Sequence, residues 1–394
     1  MRRRLAIAAV GGLLLGVSGS LHAQLVDVSP FAVASIAHDS NLLRTQRGVD
    51  GVSERRSDTL TRISLGLTAE FNPGLQAARL TAVYEPVQYR HFSRFNHEAY
   101  DLDARWTWRA GRRFDGQLGL TAERAIDDFA NRSTPEAGFV RRQGVRALGG
   151  YNLSPRLRVE LEGRHDRRDG SGAASPGFDL RESIAVAGIY YQGNRLSRLG
   201  GSVSVTDGRF PNRPAGTDLA TDYEQTSVEG QLVWSPSALS DLDWTLGYTR
   251  RRQQPTATRD YSGLTGRLEY RRRISAKTRV SLRGYRRIYS AELQDANLTI
   301  DDGLRLGVDW AWSYKTQVGV ALERREVEFE AGGAFAGAAS QLDDDIQSAS
   351  VTLDWQALER LGLLLAVEHA SRTSSDSSRD YEALVGRFEV RLGF

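Results

Sequence analysis

Between Tyr100 and Ala110 the side chains alternate one by one. Tyr100, Leu102, Ala104, Trp106, Trp108 and Ala110 form one set, and Asp101, Asp103, Arg105, Thr107 and Arg109 form the other. An extended strand turns successive side chains to opposite faces, so this segment has one apolar face and one charged face. Residues 59–71 repeat the pattern, with Ile63, Leu65, Leu67, Ala69 and Phe71 set against Arg62, Ser64, Thr68 and Glu70. Leu264, Leu268 and Tyr270 likewise oppose Thr265, Arg267, Glu269 and Arg271. Eighteen such segments fill the chain, from 29–38, 58–71 and 78–91 to 346–356, 361–370 and 380–394. Most exceed the usual strand of about 5–6 residues and match tilted membrane strands of about 9–11.

The connections alternate in length. Asn72-Pro73-Gly74, Gly111-Arg112, Ser154-Pro155, Ser235-Pro236-Ser237 and Ser313-Tyr314-Lys315 are tight turn signals. Between them lie longer polar stretches such as 39–57, 127–140, 169–180, 208–222 and 331–345. Outer-membrane barrels have short periplasmic turns and longer extracellular loops. On that assignment all seven tryptophans fall near the periplasmic ends of their strands, as in an aromatic girdle. The pattern predicts an all-β, transmembrane, antiparallel up-and-down β-barrel of about 18 strands in the bacterial outer membrane. The count falls to 16 if the weak segments 29–38 and 197–208 are not strands. A secreted β-sandwich is the competing architecture, and it scatters tryptophans through its core.

Residues 1–23 have the plan of a secretory signal peptide. Arg2, Arg3 and Arg4 precede the uncharged stretch Leu5–Val17, and Leu21-His22-Ala23 offers a cleavage site. The apolar core is too short for a spanning helix, which needs about 20 residues. The expected domains are therefore a signal peptide over 1–23 and a barrel over 24–394. An uncleaved anchor is the alternative.

Composition then changes the picture in one respect. A formal net charge of +3 and a pI near 9.1 suggest a basic, nucleic-acid-binding protein. The excess equals the three arginines of the leader, so the mature chain is neutral and the hint disappears. The absence of cysteine excludes disulfides and thiolate metal sites. A mean hydropathy of −0.42 fits a greasy face averaged with a charged one.

The charged faces belong inside, because an arginine on the lipid face near the midplane costs about 2–4 kcal/mol. The expected lumen residues are Arg62, Asp101, Asp103, Arg105, Arg109, Arg158, Glu160, Glu162, Arg164, Arg267, Glu269, Arg271, Arg283, Arg305, Asp309 and Arg387. Barrels of 16–18 strands enclose an aqueous channel. Both charge signs are interspersed, which suits a hydroxylated, weakly charged solute or serves only to solvate and brace the wall. No loop stands out as a constriction. Asp39, Asn41 and Arg44, where the first strand meets its loop, are either a sugar-contacting rim or Asx-turn residues.

The last segment places Phe388, Val390, Leu392 and Phe394 on its apolar face. A final strand ending on an aromatic residue resembles the assembly signal of outer-membrane barrels. No catalytic constellation is legible. His38, His91 and His97 fall near the expected extracellular rim without a recognisably spaced nucleophile or acid. No enzyme activity, cofactor or metal is expected.

Several stretches resemble the EpsL-type outer-membrane proteins of exosortase-associated exopolysaccharide loci. They are Pro30-Phe31-Ala32-Val33 leading into His38-Asp39-Ser40-Asn41-Leu42-Leu43-Arg44, Ser57-Asp58-Thr59, Tyr89-Arg90-His91-Phe92 with Asn96-His97, and Glu123-Arg124 to Asp127-Asp128-Phe129. The similarity is densest from Phe31 to about Arg132. It implies a role in exopolysaccharide biosynthesis or export across the outer membrane. The implied partners are outer-membrane lipid, the barrel-assembly machinery, polysaccharide and other export-locus proteins, with no nucleic acid. A general or oligosaccharide-uptake porin and a non-conducting docking barrel are the alternatives.

Overall fold

The computed structural model describes residues 26–46, 56–127, 129–131, 138–172, 179–194, 197–213, 219–255, 260–290, 296–331 and 341–394. The expected signal peptide, 1–23, and most of the Gly/Ala-rich stretch 331–342 lie outside them.

Alternation becomes strand throughout. The strands are β1 (Val26–Asp39), β2 (Asp58–Phe71), β3 (Gln76–Tyr89), β4 (His97–Ala110), β5 (Phe114–Ile126), β6 (Gly138–Asn152), β7 (Leu157–Gly172), β8 (Leu180–Asn194) and β9 (Ser197–Arg209). They continue as β10 (Asp222–Ser237), β11 (Ser240–Gln254), β12 (Tyr261–Arg273), β13 (Thr278–Ser290), β14 (Ala296–Ala311), β15 (Thr316–Ala331), β16 (Gln341–Leu358), β17 (Leu361–Ser374) and β18 (Tyr381–Gly393). Each pairs antiparallel with its sequence neighbours, and β1 pairs with β18 from Phe31↔Gly393 to Asp39↔Val385. The sheet is a closed 18-stranded ring. Closure leaves no free edge in hydrocarbon, where unpaired backbone groups are costly. The weak segments 29–38 and 197–208 are both strands, as β1 and β9, so the count is 18 and not 16.

Most boundaries shift by a few residues, and two of the shifts have a clear physical reason. Ser235-Pro236-Ser237 is not the turn between β10 and β11. The strand continues to Ser237, with a register shift between Trp234 and Ser237. Pro236 lacks the N–H that a regular ladder needs, so the chain bulges before it turns. β16 begins at Gln341, five residues earlier than the alternation suggested, because Asp343, Asp344 and Asp345 hide the apolar face.

The tight turns all lie at one end of the ring. Gly74 (φ 79°) and Gly111 (φ 64°) take the left-handed backbone that β-branched or bulky residues avoid. At Ser154 and Ser275 the hydroxyl accepts from the N–H three residues on, at 3.1 Å in each case. Directly opposed residues share a face, so the registers assign every wall position. Trp106 faces Leu118, Trp244 faces Leu232, and Trp355 faces Thr316 on one face. Trp108 lies across Gly116, where any added Cβ would strike its ring. The glycine leaves room for the indole to cover the neighbouring strand. Trp310 and Trp312 stack at 5.9 Å. All seven tryptophans sit at the tight-turn end.

Candidate functional site: the charged lumen and its filled mouth

The face opposite the tryptophans carries the sequence-predicted lumen residues, and most of them are ion-paired. Arg62 meets Glu85 at 2.9 Å, and Ser64 donates to the same carboxylate at 2.5 Å. Arg158 holds Asp115 at 2.6 Å and Glu160 at 2.7 Å. Glu160 also accepts from Arg198 at 2.8 Å, and that guanidinium lies 3.7 Å from the Tyr190 ring centre. Glu162 pairs with Arg146 at 2.7 Å and Arg164 with Asp166 at 2.7 Å. From Asp115 to Arg198 these pairs line the inner wall of β5–β9.

A second set of pairs covers β11–β15. Arg267 approaches Asp243 at 3.4 Å, and Glu269 takes Arg283 at 3.1 Å and Arg271 at 3.8 Å. Arg305 meets Glu323 at 2.9 Å. Asp309 stands opposite Arg279 in the ladder. Asp301, a residue the sequence reading missed, has a fully buried side chain between Arg287 at 2.6 Å and Arg325 at 3.1 Å. Arg387 reaches Glu389 at 3.6 Å. Asp101, Asp103, Arg105 and Arg109 share the inner face of β4, opposite Glu123, Thr121, Gly119 and Asp115 of β5. The wall is thus a mosaic of charge pairs rather than a field of one sign.

The extracellular mouth departs from the sequence reading, in which no loop narrowed the barrel. The described parts of three loops pack onto the inner face of β1–β6. Leu42 and Leu43, Phe92 and Phe95, and Phe129 bury together against Val87 and Tyr89, with Leu60 and Ile126 packed on them. Phe95 is wholly buried and its ring centre lies 4.9 Å from that of Phe129. Two short 3-10 turns, Ser93–Phe95 and Phe129–Asn131, present these rings. Asp58 anchors the second loop by accepting from the backbone N–H of Phe92 at 2.8 Å and of His91 at 3.0 Å.

A fourth loop, between β9 and β10, crosses toward β14. Arg213 donates to Ala220 O at 2.8 Å and to Asn297 Oδ1 at 3.0 Å, while its guanidinium stacks 3.5 Å from the Phe210 ring centre. Burial, with Arg168 and Arg251 nearby, lowers its pKa to about 10, so it remains charged at neutral pH. Beneath it Glu182, Tyr223, Arg251 and Ser290 link β8, β10, β11 and β13. Tyr223 donates to Glu182, and Arg251 donates to Ser290 at 2.7 Å with its guanidinium 3.4 Å from the Tyr223 ring centre. The first loops therefore meet in an apolar cluster, while Arg213 and Arg251 lie in a polar network flanked by smaller apolar clusters around Phe210 and Phe329.

The rim residues form a turn clamp. Asp39 Oδ1 accepts from the Asn41 N–H at 2.8 Å, the Asx-turn geometry, and Arg44 grips the same carboxylate at 2.8 Å. Arg44 itself has φ 53° and lies over the Tyr381 ring. Asn41 is buried and donates to Glu382 O at 3.0 Å, fastening the first loop to β18. Phe388, Val390 and Leu392 lie on the outer face opposite Ile36, Ala34 and Ala32, and the Phe394 N–H donates to Pro30 O at 3.0 Å. His91 pairs with Asp58 at 3.1 Å and His97 bonds Phe95 O at 2.8 Å. Among the described residues no group of three potential metal ligands forms.

No protein-family model and no curated protein matches the sequence. Among solved structures the chain is similar to the outer membrane protein OpdK from Pseudomonas aeruginosa, at 12% identity and TM-score 0.53, over 93% of this chain and 99% of that one. It is equally similar to OccK2 (OpdF) of the same organism, at 12% identity and TM-score 0.53, over 93% and 98% of the two chains. OccK9 (OpdG), also from Pseudomonas aeruginosa, matches at 12% identity and TM-score 0.53, over 93% and 99%. The fold is that of an outer-membrane β-barrel. For an outer-membrane barrel the tryptophan end is the periplasmic rim and the inward-folding loops are extracellular.

Proposed function

We propose that this outer-membrane barrel is a selective channel for carbohydrate, acting in exopolysaccharide export. The observation that carries a channel is the paired lumen wall from Asp115 to Arg198 and from Asp243 to Asp301. Guanidinium and carboxylate groups in alternation give hydroxyls both donors and acceptors without trapping one ion. The loop side chains packed inside the mouth, and the bonds that cross it, argue against a general diffusion pore. The exopolysaccharide cargo rests on the resemblance of the Phe31–Arg132 stretches to EpsL-type proteins. On this reading residues 1–23 are removed and the barrel-assembly machinery inserts the chain. Partners from the export locus then meet the barrel at its rims.

A second reading is uptake of small acidic sugars. One structure of OccK2 contains glucuronate, and the lumen arginines suit such a solute. Two measurements separate the readings. Conductance of the purified barrel in a planar bilayer tests the channel, and silence at every voltage overturns both. Deletion of the gene with assay of surface polysaccharide tests the cargo, and undiminished polymer overturns export.

A further inference from the structure

The lumen explains the inner charges, but a row of arginines lies on the outer face. Arg124 of β5 stands directly opposite Arg141 of β6, and Arg141 opposite Asp169 of β7. One step lower, Arg167 of β7 stands opposite Arg181 of β8, and Arg181 opposite Arg209 of β9. Like charges directly across a ladder destabilise it unless a counter-charge intervenes. Neutralisation from the chain is partial. Asp169 takes Arg167 at 2.8 Å and Asp207 takes Arg209 at 3.2 Å. Arg141 and Arg181 are exposed, and among the described residues no carboxylate lies within ion-pairing distance of either. β10 interrupts the row with Asp222 and Glu224 opposite Arg209 and Asp207, and Asp222 stands 3.9 Å from Arg209. The same height on β14–β16 carries Asp302, Glu326 and Asp345. Arg252 and Arg250 of β11 stand opposite Glu224 and Thr226 and carry the positive charge past β10, whereas on β14–β16 the acids are matched by Arg286 and Arg324.

Its height points to an occupant. Below the row the outer face is apolar, with Leu157, Val159 and Leu161 on β7, Ile189 and Ala187 on β8, and Leu199, Val203 and Val205 on β9. From Leu157 to Arg167 a tilted strand rises roughly 25 Å, the height of a lipid-facing belt. The arginines then lie at headgroup level on the extracellular side. We propose that Arg124, Arg141, Arg167, Arg181 and Arg209 bind the phosphates of a phosphorylated glycolipid in the outer leaflet. Guanidinium forks match phosphate oxygens in pairs, and such charge-assisted bonds are strong away from bulk water. The proposal rests on the membrane placement of the barrel and not on what crosses the lumen.

The test is native mass spectrometry of the full chain in detergent, titrated with bisphosphorylated lipid A. Phosphate-stripped lipid A is the comparison, and millimolar inorganic phosphate is the competitor. The double variant Arg141→Gln/Arg181→Gln is expected to lose at least about tenfold in lipid A binding. Arg141→Lys/Arg181→Lys is expected to retain most of it. Heat-modifiable gel migration verifies that each variant is a folded barrel, and single Arg181→Gln, expected to lose severalfold, replaces a double variant that misfolds. Equal binding by the Gln variant, equal binding of stripped lipid, or displacement by inorganic phosphate overturns the proposal. A barrel that is silent in conductance but binds lipid A by this pattern leaves the proposal standing while ending the channel reading.

Discussion

Arg372 of β17 donates a 2.6 Å hydrogen bond to the carbonyl of Ala130, a residue 242 positions earlier in the loop between β5 and β6. The two strands that bracket that loop are several places away around the ring, so the bond passes across the mouth. Arg372 also bonds Arg379 O at 2.8 Å and stands 3.6 Å from Asp344. It is almost completely buried. The guanidinium thus fastens the Phe129–Asn131 turn to the wall on the far side of the mouth.

Replacing Arg372 with methionine removes that fastening while keeping the length of the side chain. A hydrogen bond to a charged donor contributes about 1.5–3 kcal/mol, or roughly 10- to 100-fold in the closed-to-open ratio of the loop. The expected outcome is more frequent switching between conductance levels in single-channel records. A trace with the same dwell times as the unsubstituted barrel would show that the loop does not gate.

Phe95 anchors the apolar cluster under the first loops. Phe95→Ala is expected to cost about 3–5 kcal/mol of local packing. The surrounding ladders stay intact, so the barrel should keep its heat-modifiable migration. Protease added to whole cells should nevertheless cut the loops between β1 and β4. Resistance equal to that of the parent would mean that the aromatic cluster is not what holds them.

Asp301 keeps two arginines compensated inside the wall. Asp301→Asn leaves Arg287 and Arg325 facing the lumen without their shared anion. Under a salt gradient the reversal potential is expected to move toward anion selectivity. A potential unaltered by the substitution would place Asp301 outside the ion path.

The tryptophan rim supplies a test of membrane placement. Because all seven indoles lie at the tight-turn end, lipids brominated near the headgroup should quench their fluorescence more than lipids brominated near the chain termini. Stronger quenching from the deep bromines would contradict a girdle.

The barrel was legible in the sequence because its signal is periodic and repeated. A face read at Leu118 and Leu120 is read again at Trp106 and Ala104, its ladder partners. Any single weak segment, such as 197–208, borrows its register from neighbours. The lumen pairs were half legible. Arg158 and Glu160 announce themselves by alternation, but Arg198, which completes their network, lies in a strand of glycines and serines. The mouth was not legible. Leu42, Phe92 and Phe129 look like isolated apolar residues in polar loops, and only the ring closure brings them together. Arg213–Asn297 and Arg372–Ala130 likewise link segments with no shared local pattern.

The seam between β1 and β18 has a consequence for how the chain reaches this state. Every other ladder joins consecutive strands, so each closes only the turn or loop between them. The seam alone joins distant segments, from Phe31↔Gly393 onward. Closing a loop of that length costs about 3 kcal/mol more than closing a hairpin. Assembly therefore divides into many cheap local steps and one expensive final latch. The ring itself has no preferred starting point. Joining residue 394 to residue 26 through a short linker and cutting the chain in an extracellular loop would move the latch to another ladder and leave the wall unchanged.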